Sequence, residues 1–316
     1  MSQPKIAVIG GVVMDMIFEV PTWPLLGEAV QGSLSNQPGG KGLNEAVACA
    51  RLDAHVSIIS ATGEDSYGQR LSAILQQEHV QPFIKEVYRQ DDISTDVTAV
   101  ILKDGQPGFI GCRRATNALT ADFIEEHRAV IETADVVLIA FDISSGAVQK
   151  AVELAKAARK KIIIHASPPM NLPLSIVNHV DYLVLNSWEA HKWLDLISLN
   201  FTQRTRDEEV GEYLLRQGVQ TVIITSGNAG CVVATTSRIN HYRPFRTKVL
   251  DVTGASDAFC AGFAIALGSR KGSLERIRFA SAAAALACEK LGAYNSMPRL
   301  NEVKRFLEDR ESEQLK

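Results

Sequence analysis

Six short apolar runs, each four or five residues long, limit what this 316-residue chain can fold into. They span residues 6–9, 56–60, 136–140, 162–165, 182–185 and 221–225. Each is apolar almost throughout, as expected of strands buried on both faces. Helical patterns separate them, over 42–51, 68–78, 145–160, 187–196 and 208–217. Strand and helix alternating in this way predict an α/β fold with an open, mostly parallel sheet. Ligands of such sheets bind outside the carboxyl ends of the strands, so site residues are sought there.

Two segments break the pattern. Residues 14–37 and 96–113 carry alternation and turn residues but little helix. Within them, Ile17-Phe18-Glu19-Val20 and the run from Val97 to Leu102 read as strands, the second ahead of a Lys103-Asp104-Gly105-Gln106 turn. Two chain-distant segments of like character predict a small β appendage rather than edge strands of the main sheet. No repeat, low-complexity tract or linker divides the chain, so a single domain over residues 1–316 is expected. The charged end, 308–316, reads as a fraying helix terminus.

Composition narrows the function. With 46% hydrophobic and 22% charged residues, the chain can bury a large core. A net charge of -3 provides no basic field for nucleic acid or an anionic membrane. No segment approaches the roughly 20 apolar residues of a membrane span. The apolar run after Pro4 is too short for a signal peptide. A soluble cytoplasmic protein is expected. The five cysteines, at 49, 112, 231, 260 and 288, form no CxxC pair and read as buried free thiols of a reducing compartment. The seven histidines show no ligand spacing, so no transition-metal site is predicted.

Four motifs carry chemistry. The densest is Asp251-Val252-Thr253-Gly254-Ala255-Ser256-Asp257, ahead of an apolar helix of small residues over 258–267. Small residues let the backbone approach a ligand. The N–H groups of a helix's first turn are unpaired and attract anions. Asp257 sits in that turn, where it can accept a proton, and an anion cradle beside a carboxylate is what phosphoryl transfer to a hydroxyl needs. A Ser or Asp ahead of an apolar run is also a common helix cap, and alone the stretch favours that simpler reading.

The second motif, Gly39-Gly40-Lys41-Gly42-Leu43-Asn44, frees the backbone to approach a polyol and supplies donors from Lys41 and Asn44; a Gly-rich turn before a helix is the plainer alternative. It is not a P-loop, because Lys41 is followed by Gly rather than Ser or Thr. In the third, Asn186-Ser187-Trp188-Glu189, two oxygen-bearing side chains share a helical face at a strand's carboxyl end. They suit Mg²⁺ held through water, or reciprocal capping of the helix, or both. The fourth, Thr225-Ser226-Gly227-Asn228-Ala229-Gly230, suits a nucleotide's phosphates or ribose, or a hairpin loop.

With these motifs in order and in register, the chain resembles the ribokinase-like (PfkB) family of carbohydrate and nucleoside kinases over almost its full length. The family's Asp-Thr-x-Gly-Ala-Gly-Asp hallmark matches Asp251 to Asp257, its Gly-Gly-Lys-Gly-x-Asn loop matches Gly39 to Asn44, and its Asn-x-x-Glu motif matches Asn186 and Glu189. The resemblance implies a ribokinase-like three-layer α/β/α fold with a mostly parallel central sheet and a small β-sheet lid from residues 14–37 and 96–113. It implies an ATP-dependent kinase of a sugar-like alcohol, dimeric through the lid. Asp257 would be the catalytic base, and the amides of Gly254, Ala255 and Ser256 the anion hole. Asp15, Gly39, Gly40, Lys41, Asn44 and Asp142 would bind the acceptor. Asn186, Thr225, Gly227, Gly230 and Ser281 would meet the nucleotide. Asn186 and Glu189 would hold Mg²⁺. Asp251, Thr253, Ala287, Lys290, Gly292 and Ser296 would surround a monovalent cation, usually K⁺.

Departures from the family pattern bear on the acceptor. Val13 stands where ribokinases carry a sugar-contacting Asn, and Asp142 where they carry Glu. Ser256 replaces a Gly, which αR geometry at a helix start tolerates. Arg113-Arg114 follows a lid strand; the pair can meet an anionic group on the substrate or be solvated surface charge. These residues favour an acceptor other than free ribose: another sugar, an acidic sugar derivative or a nucleoside. A ligand-sensing member of the fold without turnover is the second reading, which the intact Asp257 disfavours. A dinucleotide oxidoreductase fails because no GxGxxG follows the first strand.

Overall fold

Near-continuous apolar runs demand cover on both faces, and the chain supplies it from two helical layers. The structure is a computed structural model that describes residues 3–87, 93–104, 106–170, 174–196 and 206–310. Gly105 of the predicted turn and residues 311–316 of the charged end lie outside these. Numbered along the chain, the main sheet comprises β1 (Lys5–Ile9), β4 (His55–Gly63), β5 (Val80–Val87), β8 (Val136–Ala140), β9 (Lys161–His165), β10 (Tyr182–Asn186), β11 (Thr221–Thr225), β12 (Cys231–Thr235) and β13 (Arg238–Tyr242). Their order is β13-β12-β11-β10-β9-β8-β1-β4-β5. All pairings are parallel except those of β12 with β11 and β13.

Side chains alternate between the two faces. Ile6, Val8, Ile58 and Leu138 join a core with α1 (Lys41–Arg51), α2 (Ser66–Gln77), α9 (Ala255–Gly268), α10 (Ser273–Ala287) and α12 (Leu300–Asp309). Ala7, Ile9, Ile59 and Ile139 join the opposite core with α3 (Ala121–Glu126), α4 (Arg128–Thr133), α5 (Ser145–Ala157), α6 (Leu174–Val177), α7 (Ser187–Leu196) and α8 (Asp207–Arg216). A single-turn helix, α11 (Ala293–Ser296), lies beside the site described below. The architecture is three-layer α/β with a large, mostly parallel sheet and a second, small one.

The small sheet contains β2 (Val13–Glu19), β3 (Ser33–Gly39), β6 (Val97–Lys103) and β7 (Gln106–Cys112) in the order β3-β2-β6-β7. The two chain-distant segments meet through a parallel β2–β6 pairing. They are not edge strands of the main sheet. The six expected strands all form, and three more join them. β5 and β13 are edge strands with mixed polarity and lack the doubly buried pattern, whereas β12 is buried from Cys231 to Ala234 and is an apolar run that the sequence reading passed over. Cys49, Cys231 and Cys260 are buried free thiols, Cys288 is half-buried and Cys112 is exposed.

Candidate active site

The chain leaves β1 toward β4 and β5, then returns to place β8 on the other side of β1. The carboxyl ends of β1 and β8 therefore flank the switch point where an open α/β sheet binds ligands. Gly10 follows β1, and a Cβ on it would stand 2.8 Å from Gly42 Cα, so the first turn of α1 packs directly on the strand end. Asp142, just after β8, fixes this junction. Its carboxylate accepts from the Gly11 N–H at 2.8 Å and the Lys41 N–H at 3.0 Å. Both oxygens of the expected acceptor ligand are thus engaged by backbone.

Asp257 reaches the same place from α9. Gly254 caps that helix at φ 81, a left-handed conformation natural to glycine, and a Cβ there would meet Met297 Cε at 2.7 Å. The turn aims Asp257, only 3% exposed, at α1. Asn44 Nδ2 donates to its Oδ2 at 2.8 Å, and Lys41 Nζ lies 3.6 Å from its Oδ1. Burial works against the Lys41 charge, but Asp257, Glu189, Asp142 and Glu45 outweigh it and hold that pKa above its ordinary value. Of the three amides expected in the anion hole, that of Ala255 donates to Val252 O at 3.2 Å. The Ser256 N–H belongs to the first turn of α9, which has no intrahelical acceptor.

Asp15 on β2 lies opposite Gln37 and Thr98, and Thr98 opposite Gly111, so these residues form one row across the small sheet. A Cβ on Gly39 would stand 2.1 Å from Asp15 Oδ2. Burial raises the Asp15 pKa to about 6, partly offset by a hydrogen bond from Thr98 and reinforced by the charge of Asp257. Arg113 is exposed, and its Nε lies 4.0 Å from where a Gly111 Cβ would point, at the end of this row.

On the other side of the Gly254 turn opens a cavity of about 600 Å³. Thr225, Gly227, Gly230 and Ser281, all expected at the nucleotide, line it together with Ala255 and Ser256. The loop before β12 is a hairpin connection and a cavity wall at once, with Ser226 N–H donating to Gly230 O at 2.8 Å. Phe245, Val249 and Val252 supply an apolar wall that the sequence reading missed, since isolated apolar residues in loops carry no periodicity. Asn186 is not among the lining residues; it pairs with Thr225 across β10 and β11.

Asn186 and Glu189 cap α7 reciprocally: Glu189 N–H donates to Asn186 Oδ1 at 2.8 Å, and Asn186 N–H to Glu189 Oε2 at 2.9 Å. Ser167 Oγ donates to Glu189 Oε1. The buried carboxylate keeps oxygen lone pairs for a hydrated divalent cation, so the donor set fits Mg²⁺ held through water. Of the residues expected around a monovalent cation, Asp251, Thr253 and Gly292 meet directly, and Ser296 N–H donates to Gly292 O at 3.3 Å. Asp251 accepts from Thr253 N–H at 2.9 Å and from Gly292 N–H at 2.8 Å, and Leu250 N–H donates to Cys288 O at 2.8 Å. Burial opposes the Asp251 charge, but hydrogen bonds from the Thr253 hydroxyl and N–H and from the Gly292 N–H hold its carboxyl below the usual range. Lys290 Nζ turns away to Glu302 at 2.8 Å, so Lys290 could offer such a cation only its carbonyl.

Behind Asp257 lie two residues without an expected role. Glu45 on α1 and His165 at the end of β9 are both 0% exposed, and His165 Nδ1 is 2.7 Å from Glu45 Oε1. Burial, with Asp257 and Asp142 nearby, pushes the Glu45 carboxyl well up; burial and Lys41 push the imidazole well down. A charged residue within the small apolar stretch of α1, and a histidine closing an apolar strand, were the available signals.

A family model described as pfkB family carbohydrate kinase matches residues 3–300. The chain belongs to that family, and as a member it is an ATP-dependent carbohydrate kinase. Ribokinase of Bacillus subtilis (strain 168) is 31% identical over 96% of this chain and 99% of its own length. Ribokinase of Haemophilus influenzae is 28% identical over 96% of this chain and 98% of its own length. Among solved structures, ribokinase of Thermotoga maritima superposes with a TM-score of 0.86 at 26% identity, covering 96% of this chain and 99% of its own. The Arabidopsis thaliana ribokinase complexed with ribose and ATP, at 23% identity and TM-score 0.83 over 97% of this chain and 99% of its own, shares the fold.

Proposed function

We propose that this kinase transfers the γ-phosphoryl group of ATP to a hydroxyl of a sugar-like acceptor, with Asp257 as general base. One observation carries the proposal: a single turn, Gly254 to Asp257, faces the 600 Å³ cavity with Ala255 and Ser256 and faces Lys41 and Asn44 with its carboxylate. ATP in that cavity points its phosphates at the N-terminus of α9, where the Gly254 and Ser256 amides meet the transferring group. An acceptor held by Asp15, Gly39, Gly40, Lys41 and Asn44 gives its hydroxyl proton to Asp257 as the oxygen attacks phosphorus. Such a base contributes about 10² to 10⁴ in rate. Glu189 and Asn186 would hold Mg²⁺, which when bound neutralises phosphate charge. Asp251 with the carbonyls of Thr253, Ala287, Lys290 and Gly292, and with Ser296, would hold K⁺. The small sheet closes over the acceptor as a lid and pairs two copies in a cytoplasmic homodimer. The whole chain acts as one domain.

Ribose heads the acceptor panel, because the relatives are ribokinases. The site favours an acceptor that makes other contacts: Val13 is apolar, Asp142 is occupied by backbone amides, and Arg113 stands at the end of the Asp15 row. The test couples ADP production to a panel of neutral sugars, acidic sugar derivatives and nucleosides at fixed MgATP. Asp257→Ala is expected to abolish turnover and retain ATP binding; turnover at the wild-type rate would remove Asp257 as the base. A best kcat/KM for ribose would overturn the acceptor reading and leave the kinase reading intact.

A further inference from the structure

Glu45 and His165 form a buried hydrogen-bonded pair that joins two layers of the fold at one point. Glu45 rides on α1, one residue after Asn44 and one turn after Lys41, the two residues that grip Asp257. His165 ends β9, opposite Ala140 of β8 and Val184 of β10, in the middle of the main sheet. The imidazole Nδ1 that meets Glu45 Oε1 at 2.7 Å also lies 3.8 Å from Asp257 Oδ1. Among the described residues that carboxylate oxygen has no hydrogen-bond partner, while its twin accepts from Asn44.

A fully buried polar pair costs desolvation, and an apolar pair of similar size is often at least as stable. Its placement, against the base and on the helix that grips the base, gives that cost a function. We propose that Glu45 and His165 are positioning residues for Asp257: their hydrogen bond fixes the first turns of α1 on the sheet, setting Lys41 and Asn44 on the base. This inference rests on Asp257 being the base.

The same side chains lie near Cys260, and the three could group around a metal ion, with ligand atoms within 4.8 Å of one another. The hydrogen bond decides against an ion between Nδ1 and Oε1. Two ligands of a tetrahedral zinc stand about 3.3 Å apart, whereas these atoms are 2.7 Å apart. A glutamine at the same position offers both an amide N–H and a carbonyl oxygen, so it can hydrogen-bond Nδ1 in either tautomer of the imidazole.

The test compares Glu45→Ala, His165→Ala and Glu45→Gln by steady-state kinetics with MgATP and the best acceptor, on protein shown to be folded. The alanine variants are expected to lose about 10- to 100-fold in kcat, the usual effect of removing a partner that orients a site residue. KM for ATP is expected to stay within about twofold, since the nucleotide cavity lies on the far side of the Gly254 turn. Glu45→Gln is expected to restore kcat to within about threefold of wild type. If an alanine variant does not fold, Glu45→Met fills the site without a hydrogen bond and is expected to show the same loss. A kcat near wild type in folded His165→Ala or Glu45→Met overturns the proposal, as does Glu45→Gln as impaired as Glu45→Met. Asp257→Asn, run alongside, separates the two readings. Turnover surviving in it removes the base, whereas an inactive Asp257→Asn with an unimpaired His165→Ala removes only the pair.

Discussion

Asp15 and Asp257 are both carboxylates of the proposed acceptor site, yet their surroundings differ. Asp257 is gripped by Lys41 and Asn44. Asp15 has no cation beside it in the row of Thr98 and Gln37, and burial raises its pKa to about 6. Folding favours the protonated acid, so this contribution to stability is complete below the ordinary value of 3.8 and is lost as pH rises through about 6. Binding runs the other way, because only the ionised carboxylate accepts hydrogen bonds from sugar hydroxyls with both oxygens. In the free enzyme, kcat/KM for the acceptor is expected to fall as pH drops below about 6, while Asp15→Asn gives a lower profile without that inflection. A wild-type profile flat from pH 5 to 7 would remove Asp15 from acceptor binding. The sequence showed Asp15 and Asp257 as candidates; their different environments required neighbours from β6 and α1.

At the scale of elements, the site is a junction of strand and helix ends. Asp142 joins the end of β8 to Gly11 after β1 and to Lys41 at the start of α1. Asp142→Ala strands the buried Gly11 N–H, at a cost of about 1–3 kcal/mol, and the half-buried Lys41 N–H at a smaller one. A lower denaturation midpoint together with lower kcat is the expected result; unchanged stability with a raised acceptor KM would return Asp142 to a purely ligand-binding role. A second junction is the crossing of α9 and α10, where a Cβ on Gly262 would stand 3.0 Å from Ala280 Cα. Gly262→Leu forces the helices apart, at a cost of about 1–3 kcal/mol. Because Ser281 and Ala284 of α10 line the nucleotide cavity, KM for ATP is expected to rise more than acceptor KM. Equal shifts in both would show that the crossing serves stability alone. The doubly buried strands were legible because their apolar runs are continuous. The edge strands β5 and β13 were not, because a strand packed on one side resembles a loop in composition.

For the whole molecule, the three layers bring together motifs more than 200 residues apart, since Lys41 and Asn44 meet Asp257, and over a shorter span Asp251 meets the turn that begins α11. A ligand that binds only the assembled site must stabilise the fold. MgATP at a hundredfold excess over its Kd is expected to raise the melting temperature by about 4 °C, and NAD to leave it unchanged. A shift with NAD and none with MgATP would overturn the nucleotide assignment. The sequence alone determined the α/β class, the separate small sheet and the four motifs. Continuous apolar runs, turn chemistry and glycine spacing are local properties, written in consecutive residues. Only the tertiary structure decided that Asp142 is held by backbone amides, that the Ala255 amide is already engaged, and that Glu45 and His165 stand behind Asp257. Those facts depend on which distant groups share a buried space, where an unpaired donor or charge costs most. No local pattern in the chain encodes that proximity.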